Sequence, residues 1–142
     1  MSNSVVAAPI PQGRYVPAVR AGSSVRTAGM TPRRDGILTV TGRVGDDVDA
    51  DVAQVAAGVS AANALAAIRS VLPPGTPFRC VEMVVYVACA EGFTALSAVA
   101  DGASSEIERQ LGRGALPARS AIGVYALPGG APVEVAITAH VD

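Results

Sequence analysis

Lysine is absent from this 142-residue chain, and all eleven basic residues are arginines. A Schiff-base lysine and a P-loop lysine are therefore excluded. There is one histidine, His140, which excludes histidine-rich metal sites and argues against a Ser-His-Asp triad. The two cysteines, Cys80 and Cys89, have the spacing of neither a redox pair nor a zinc knuckle. They read as small buried hydrophobes of a cytoplasmic protein. Charged residues are scarce, and the formal net charge is -1. Neither nucleic acid nor a membrane surface is thus indicated as a partner. Residues 1–12 have no basic region followed by an apolar core, so no signal peptide is read there. Any catalysis must rest on carboxylates, arginine, hydroxyls and backbone groups.

Half of the residues are hydrophobic, and the length suits one domain with a real core. Residues 1–12 are small, polar and proline-punctuated and read as a loose arm; residues 13–142 read as the domain. Tyr15 to Arg20 and Ser24 to Ala28 flank Ala21-Gly22-Ser23 and predict a hairpin. Pro17 places its first strand at an edge or a bulge. Gly29 to Gly36 reads as a loop, and Ile37 to Thr41 as a short strand.

Asp46, Asp47, Asp49 and Asp51 crowd the start of a helix, as caps and first-turn charges rather than metal ligands. Its apolar stripe runs through Val48, Val52, Val55, Val59, Ala62 and Ala66, widened by Leu65, Ile68 and Leu72. Val52 to Ile68 is apolar, but Gln54, Ser60 and Asn63 interrupt it, and a buried core helix is expected rather than a membrane span. Pro73-Pro74-Gly75 ends it. Phe78 to Ala88 carries a nearly all-apolar strand, as expected when both faces are covered. Glu82 lies at its wet end or serves a site. Phe93 to Leu111 predicts a second helix through Leu96, Ala100, Ala103, Ile107 and Leu111, weakened at Gly102.

The last two strands are the stretch on which the functional reading rests. Leu116 to Ala126 and Val133 to Val141 both alternate, and Pro128-Gly129-Gly130 between them reads as a hairpin connection. On that reading Arg119, Ala121, Gly123 and Tyr125 share a face with Glu134, Ala136, Thr138 and His140. A guanidinium and a carboxylate over a small-residue floor would suit a small organic acid. The same pair could equally be an interface ion pair that sets assembly register, and Tyr15 could equally be plain packing. The order β-β-β-α-β-α-β-β predicts an α+β fold, a single mixed sheet with two helices on one face. The other face, read as carrying Tyr125, Ala121, Gly123, Ala136 and Thr138, has no cover within the chain, which predicts oligomerisation through it.

Gly13-Arg14-Tyr15, then Ala21-Gly22, Thr27-Ala28-Gly29, Pro117-Ala118-Arg119-Ser120 and Val133-Glu134-Val135 resemble, in order, the Rid superfamily of reactive-intermediate deaminases, also called YjgF-type proteins. The resemblance implies a chorismate-mutase-like α+β fold, a homotrimer, ligand clefts between subunits, and no metal or organic cofactor. It implies hydrolysis of an imino or enamino acid to a keto acid and ammonia, or binding of a small carboxylate without catalysis. By the resemblance Arg119 grips the substrate carboxylate, Glu134 holds or activates water, and Tyr15, Ala28 and Ala121 line the pocket. Ala28 stands where the family has serine, and Ala121 where it has cysteine. The family's second-helix asparagine falls near Ala100, beside Asp101.

Overall fold

The structure is a computed structural model that describes residues 7–142. Of the arm read at residues 1–12, residues 1–6 lie outside the described residues, and residues 7–12 form no helix or strand. The elements in chain order are β1 (Ala18–Ala21), β2 (Ser24–Thr27), β3 (Arg33–Arg34), β4 (Ile37–Leu38), α1 (Ala50–Ser70), β5 (Arg79–Ala88), α2 (Leu96–Leu111), β6 (Ala118–Val124) and β7 (Val133–His140). Five strands form one mixed sheet in the order β1-β2-β7-β5-β6, and both helices pack on one of its faces. The fold is α+β, as expected from the sequence. The short strand expected from Ile37 to Thr41 lies outside the main sheet. It shortens to Ile37–Leu38 and pairs with Arg33–Arg34 as a ribbon turned by Asp35 and Gly36, both at positive φ.

The final two strands do not form a hairpin. β5 lies between them, parallel to β6 and antiparallel to β7. The β5-α2-β6 segment is a crossover unit, in which the helix carries the chain back to start a parallel neighbour. Lateral strand spacing of about 4.8 Å puts β6 and β7 roughly 10 Å apart. The Pro/Gly segment spans that gap over the end of β5, where Ala88 N–H donates to Pro132 O and Gly42 N–H donates to Gly130 O.

This order reassigns the faces. Met83, Val85 and Val87 of β5 are buried under the helices. They register with Ile137, Val135 and Val133 of β7 and with Arg119, Ala121 and Gly123 of β6. Arg119, Ala121 and Gly123 are therefore on the helix side. The open side carries Glu82, Val84 and Tyr86, flanked by Thr138, Ala136 and Glu134 and by Ala118, Ser120 and Ile122. The uncovered face expected from the sequence exists and does carry Ala136 and Thr138, but Ala121 and Gly123 belong to the opposite one. β5 is covered on one face only within the chain, and Glu82 is exposed at its start.

Helix α1 is capped by Asp49, whose carboxylate accepts from Val52 N–H at 2.9 Å. It is the one described helix long and apolar enough to cross a membrane, and it serves as the core helix. Its buried face is built mainly from alanine, including Ala53, Ala57, Ala61 and Ala64, together with Leu65 and Ile68. Val52 and Val55, expected in the apolar stripe, are 45% and 69% exposed. Small side chains let the backbones approach, so alanine, though less hydrophobic than valine, takes the inner face.

Helices α1 and α2 approach closely at Gly58 and Gly102. A Cβ on Gly102 would fall on the Gln54 carbonyl, and Gln54 Nε2 donates to Ala98 O at 2.7 Å beside it. Glycine in the middle of α2 is thus a contact requirement rather than a weakness of the helix. Gly102→Ala gains about 1 kcal/mol of helix propensity, but overpacking against backbone costs about 1–3 kcal/mol or more. We expect net destabilisation and a lower midpoint in urea unfolding. A raised midpoint would show that propensity wins and the helices part freely.

Candidate functional site

The structure places the sequence-derived site residues in two groups. Arg119, on edge strand β6, points into the groove against α2. Its Nη1 donates to Asp101 Oδ1 at 2.8 Å and to Ser104 Oγ at 2.9 Å. Its Nη2 donates to Ser97 Oγ at 2.7 Å, with a longer 3.4 Å contact to the Ser97 carbonyl. Ser97, Asp101 and Ser104 follow helical spacing and so line one face of α2. The guanidinium is held by a carboxylate and two hydroxyls, and its side chain is only 19% exposed. Among the described residues Nε has no acceptor. The four Nη hydrogens are thus engaged by α2, and Nε–H is the donor left for a ligand oxygen. Ala121 is half-buried on the same strand and face, beside the core.

Glu134 forms the other group on the opposite side of the sheet. The shared face expected for Arg119 and Glu134 is therefore incorrect, because it depended on the β6–β7 hairpin. The Glu134 carboxylate rests on Gly29, where a Cβ would collide with it. Gly29 is not in a positive-φ conformation, so the requirement is purely steric. Ala28 precedes it, half-buried, with its N–H donating to Pro17 O at 2.8 Å. Met30 continues the segment as a bridge to Val135, with its N–H donating to Val135 O and its carbonyl accepting from Val135 N–H. These bonds hold the Ala28–Gly29 turn against Glu134. Burial pushes the Glu134 carboxyl above its usual range, since the charged form loses hydration there.

Tyr15 lies upstream of Pro17, about half exposed, and its phenol oxygen accepts from Gln12 N–H at 3.1 Å. Among the described residues no hydrogen bond joins Tyr15 to Arg119 or Glu134.

Several contributors escaped sequence reasoning. Ser97 and Ser104 flank Asp101 and hold Arg119, whereas Ala100, near the expected asparagine position, is fully buried in the core. The signal was the four-residue spacing of Ser97 and Asp101, opposite the buried Val99-Ala100-Ala103 face. Tyr86 is the cross-strand partner of Glu134, and its alternation with buried Val85 and Val87 marked it for the open face.

The cysteines also divide. Cys80 is buried, and desolvation, partly offset by the positive charge of Arg69, pushes its thiol up to about 11. Cys89 is half-buried and lines a cleft of about 440 Å³ beside Gly123, Leu96 and Phe93. That corrects the expectation that both are buried. A maleimide should label one thiol, Cys89, in the native protein and both after denaturation. Equal labelling of both native thiols would contradict the burial of Cys80.

The sequence profile of the family described as endoribonuclease L-PSP matches residues 5–141. The chain belongs to this family, the YjgF/Rid superfamily. Protein TCP17 of Trypanosoma cruzi is 34% identical over 91% of the chain and 82% of its own length. Atu1372 of Agrobacterium tumefaciens, a protein of unknown function, is 34% identical over 96% of the chain and 84% of its own, with a TM-score of 0.86. The E. coli protein TdcF, in a structure with bound serine, is 23% identical over 96% of the chain and 95% of its own, with a TM-score of 0.69. The resemblance to TdcF is one of fold.

Proposed function

We propose that this YjgF/Rid member is an imine or enamine deaminase that converts a small imino acid to a keto acid and ammonia. The observation that carries the reading is the division of the chemistry between the two faces of one sheet. Arg119 is an oriented cation whose Nε lacks an acceptor among the described residues, and Glu134 is a half-buried carboxylate on the face of the sheet away from the helices. Neither reaches the other within one chain. A cleft between two copies, as the family resemblance implies for a homotrimer, would bring Arg119 of one copy to Glu134 of the next. The serine bound by TdcF supports a ligand of amino-acid size and polarity.

In such a cleft Nε of Arg119 donates to the substrate carboxylate and orients the adjacent C=N bond. Glu134 takes a proton from water as the water oxygen bonds to the imine carbon, and the C=N electron pair moves onto nitrogen. Glu134 returns that proton to the nitrogen and then relays the hydroxyl proton to it, so that the carbinolamine expels neutral ammonia and the keto acid is left. Tyr15, Ala28 and Ala121 line the pocket in this reading. A raised carboxylate pKa makes Glu134 a better base than an ordinary exposed glutamate.

A second reading is favoured by Ala28 and Ala121, which remove a hydroxyl and a thiol from the family's pocket. In that reading the cleft binds a small carboxylate without turnover. An amino-acid oxidase that releases imines in situ separates the two. Faster ammonia release in the presence of the protein is the expected result. Stabilisation by pyruvate without acceleration would establish the binding reading, and absence of both would overturn the assignment of the site.

A further inference from the structure

Beyond Arg119 the same face of β6 continues through Ala121 to Gly123. There the groove between β6 and α2 opens into the cleft of about 440 Å³ that Cys89 lines. Gly123 lies at its floor, Cys89, Phe93 and Leu96 form its walls, and Tyr125 stands at its rim. The volume falls within the range of small-molecule sites.

The walls are held in place. Cys89 N–H donates to Val124 O at 3.2 Å, and Phe93 N–H donates to Ala90 O at 3.1 Å. Phe93 also rests on Gly45, where a Cβ would lie 3.3 Å from its ring. At the rim, Tyr125 is 80% exposed and is clamped by Arg43. The Arg43 guanidinium carbon lies 4.0 Å from the ring centroid, and its Nε donates to Tyr125 O at 3.0 Å.

The cleft is joined to Arg119 through α2. Leu96 forms part of its wall, and the next residue, Ser97, accepts from Arg119 Nη2. Nη1 turns the other way along the helix, to Asp101 and Ser104. Nε–H lies on the Nη2 side of the planar guanidinium. The Arg119 donor without an acceptor among the described residues therefore faces the cleft end of the groove. It is not shut off from solvent.

The floor between them is bare. Ala121 offers only a methyl group, and a Cβ on Gly123 would lie 3.2 Å from Cys89 Sγ and 3.4 Å from Leu96 Cδ1. Same-face residues of a strand are about 6.7 Å apart. A ligand whose carboxylate sits on Nε passes over Ala121. From there a methyl side chain stops short of the cleft, whereas a phenyl ring reaches the flat floor at Gly123. A thiol sulfur, an aromatic ring and a leucine then surround it, which are favourable neighbours for an aromatic group.

We infer that this cleft receives the side chain of the substrate, and that the substrate class is the imino acids with an aromatic side chain. Gly123 sets that specificity by leaving the floor open, and Cys89 and Leu96 bound it. The inference rests on the reading of Arg119 as the carboxylate site of the deaminase.

The test titrates the full chain with phenylpyruvate and with pyruvate, the keto acids of an aromatic and of a methyl side chain. Their binding needs no turnover. Phenylpyruvate should bind about tenfold more tightly or better. At saturation it should slow maleimide labelling of Cys89 about tenfold, and pyruvate should slow it less than about twofold. Gly123→Val fills the floor and should cut the preference to about twofold or less. The labelling arm uses the parent protein and does not depend on the variant folding. Absence of phenylpyruvate binding, equal affinity for the two keto acids, an unprotected Cys89, or a preference that survives Gly123→Val would each overturn the inference. Ammonia release from the imines of phenylalanine and alanine separates this outcome from failure of the deaminase reading. If neither imine is accelerated while the preference and the Cys89 protection hold, catalysis fails and the cleft stands as the side-chain site of a bound ligand. If both are deaminated with equal kcat/KM and Cys89 stays unprotected, the cleft inference fails and the deaminase reading stands.

Discussion

Glu134→Gln is expected to reduce the deamination rate by about 10²–10⁴-fold, the usual contribution of a positioned general base, with little change in KM. Glutamine keeps the shape that packs on Gly29 and can still hydrogen-bond a water, but it cannot take the water's proton. The loss therefore falls in kcat. In the parent protein, kcat/KM should rise with pH through an apparent value above the ordinary 4.5 of a glutamate, because burial raises the Glu134 carboxyl. The same shift sets a sign for stability. A carboxyl raised in the folded state favours folding below its unfolded value and loses that contribution as pH rises through the folded value. Glu134→Gln should remove this component and flatten stability across that window. Unchanged kcat in the glutamine variant would remove Glu134 from the chemistry.

Arg119→Ala is expected to lower kcat/KM by about 10–100-fold, chiefly through KM, because it deletes the charge-assisted hydrogen bond of about 1.5–3 kcal/mol that Nε offers the substrate carboxylate in the proposed reading. The fold should survive the change. The partner left behind, Asp101, is 60% exposed and regains water, and Ser97 and Ser104 are on the same solvent-facing groove. Arg119→Lys should recover only part of the loss, since an ammonium is a point charge without the planar fork that Ser97, Asp101 and Ser104 orient. Full recovery by lysine would show that charge alone matters and that the held orientation does not.

Much of the fold was legible because it is written locally. Asp49 before an apolar run, Pro73-Pro74-Gly75 after it, the apolar run of Val81 to Val87 and alternation in Val133 to His140 each report on their own neighbourhood, although the apolar run led to cover being expected on both faces of β5 where the chain covers one. Strand order is not local. The alternation of β6 and β7 is compatible with a hairpin or with β5 inserted between them, and only packing of the β5-α2-β6 crossover against the core decides. That one ambiguity moved Arg119, Ala121 and Gly123 to the wrong face. The inner side of α1 was read correctly at Val48, Leu65, Ala66, Ile68 and Leu72 but not at Val52 and Val55: hydrophobicity ranks valine above alanine, but close helix contact at Gly58 and Gly102 rewards small size. Arg119 and Glu134 were singled out by residue type and by family resemblance. Their separation by the full thickness of the sheet was not legible, because it follows from register.

Mixed assembly of two crippled variants tests the division of the site most directly. Arg119→Ala and Glu134→Gln proteins, each impaired alone at substrate well below KM, are co-refolded in equal amounts, and subunit mixing is verified by native mass spectrometry. If the arginine of one copy serves the glutamate of another, random mixing restores activity at about a quarter of the sites. Mixed oligomers no more active than the average of their parents under the same conditions would contradict it.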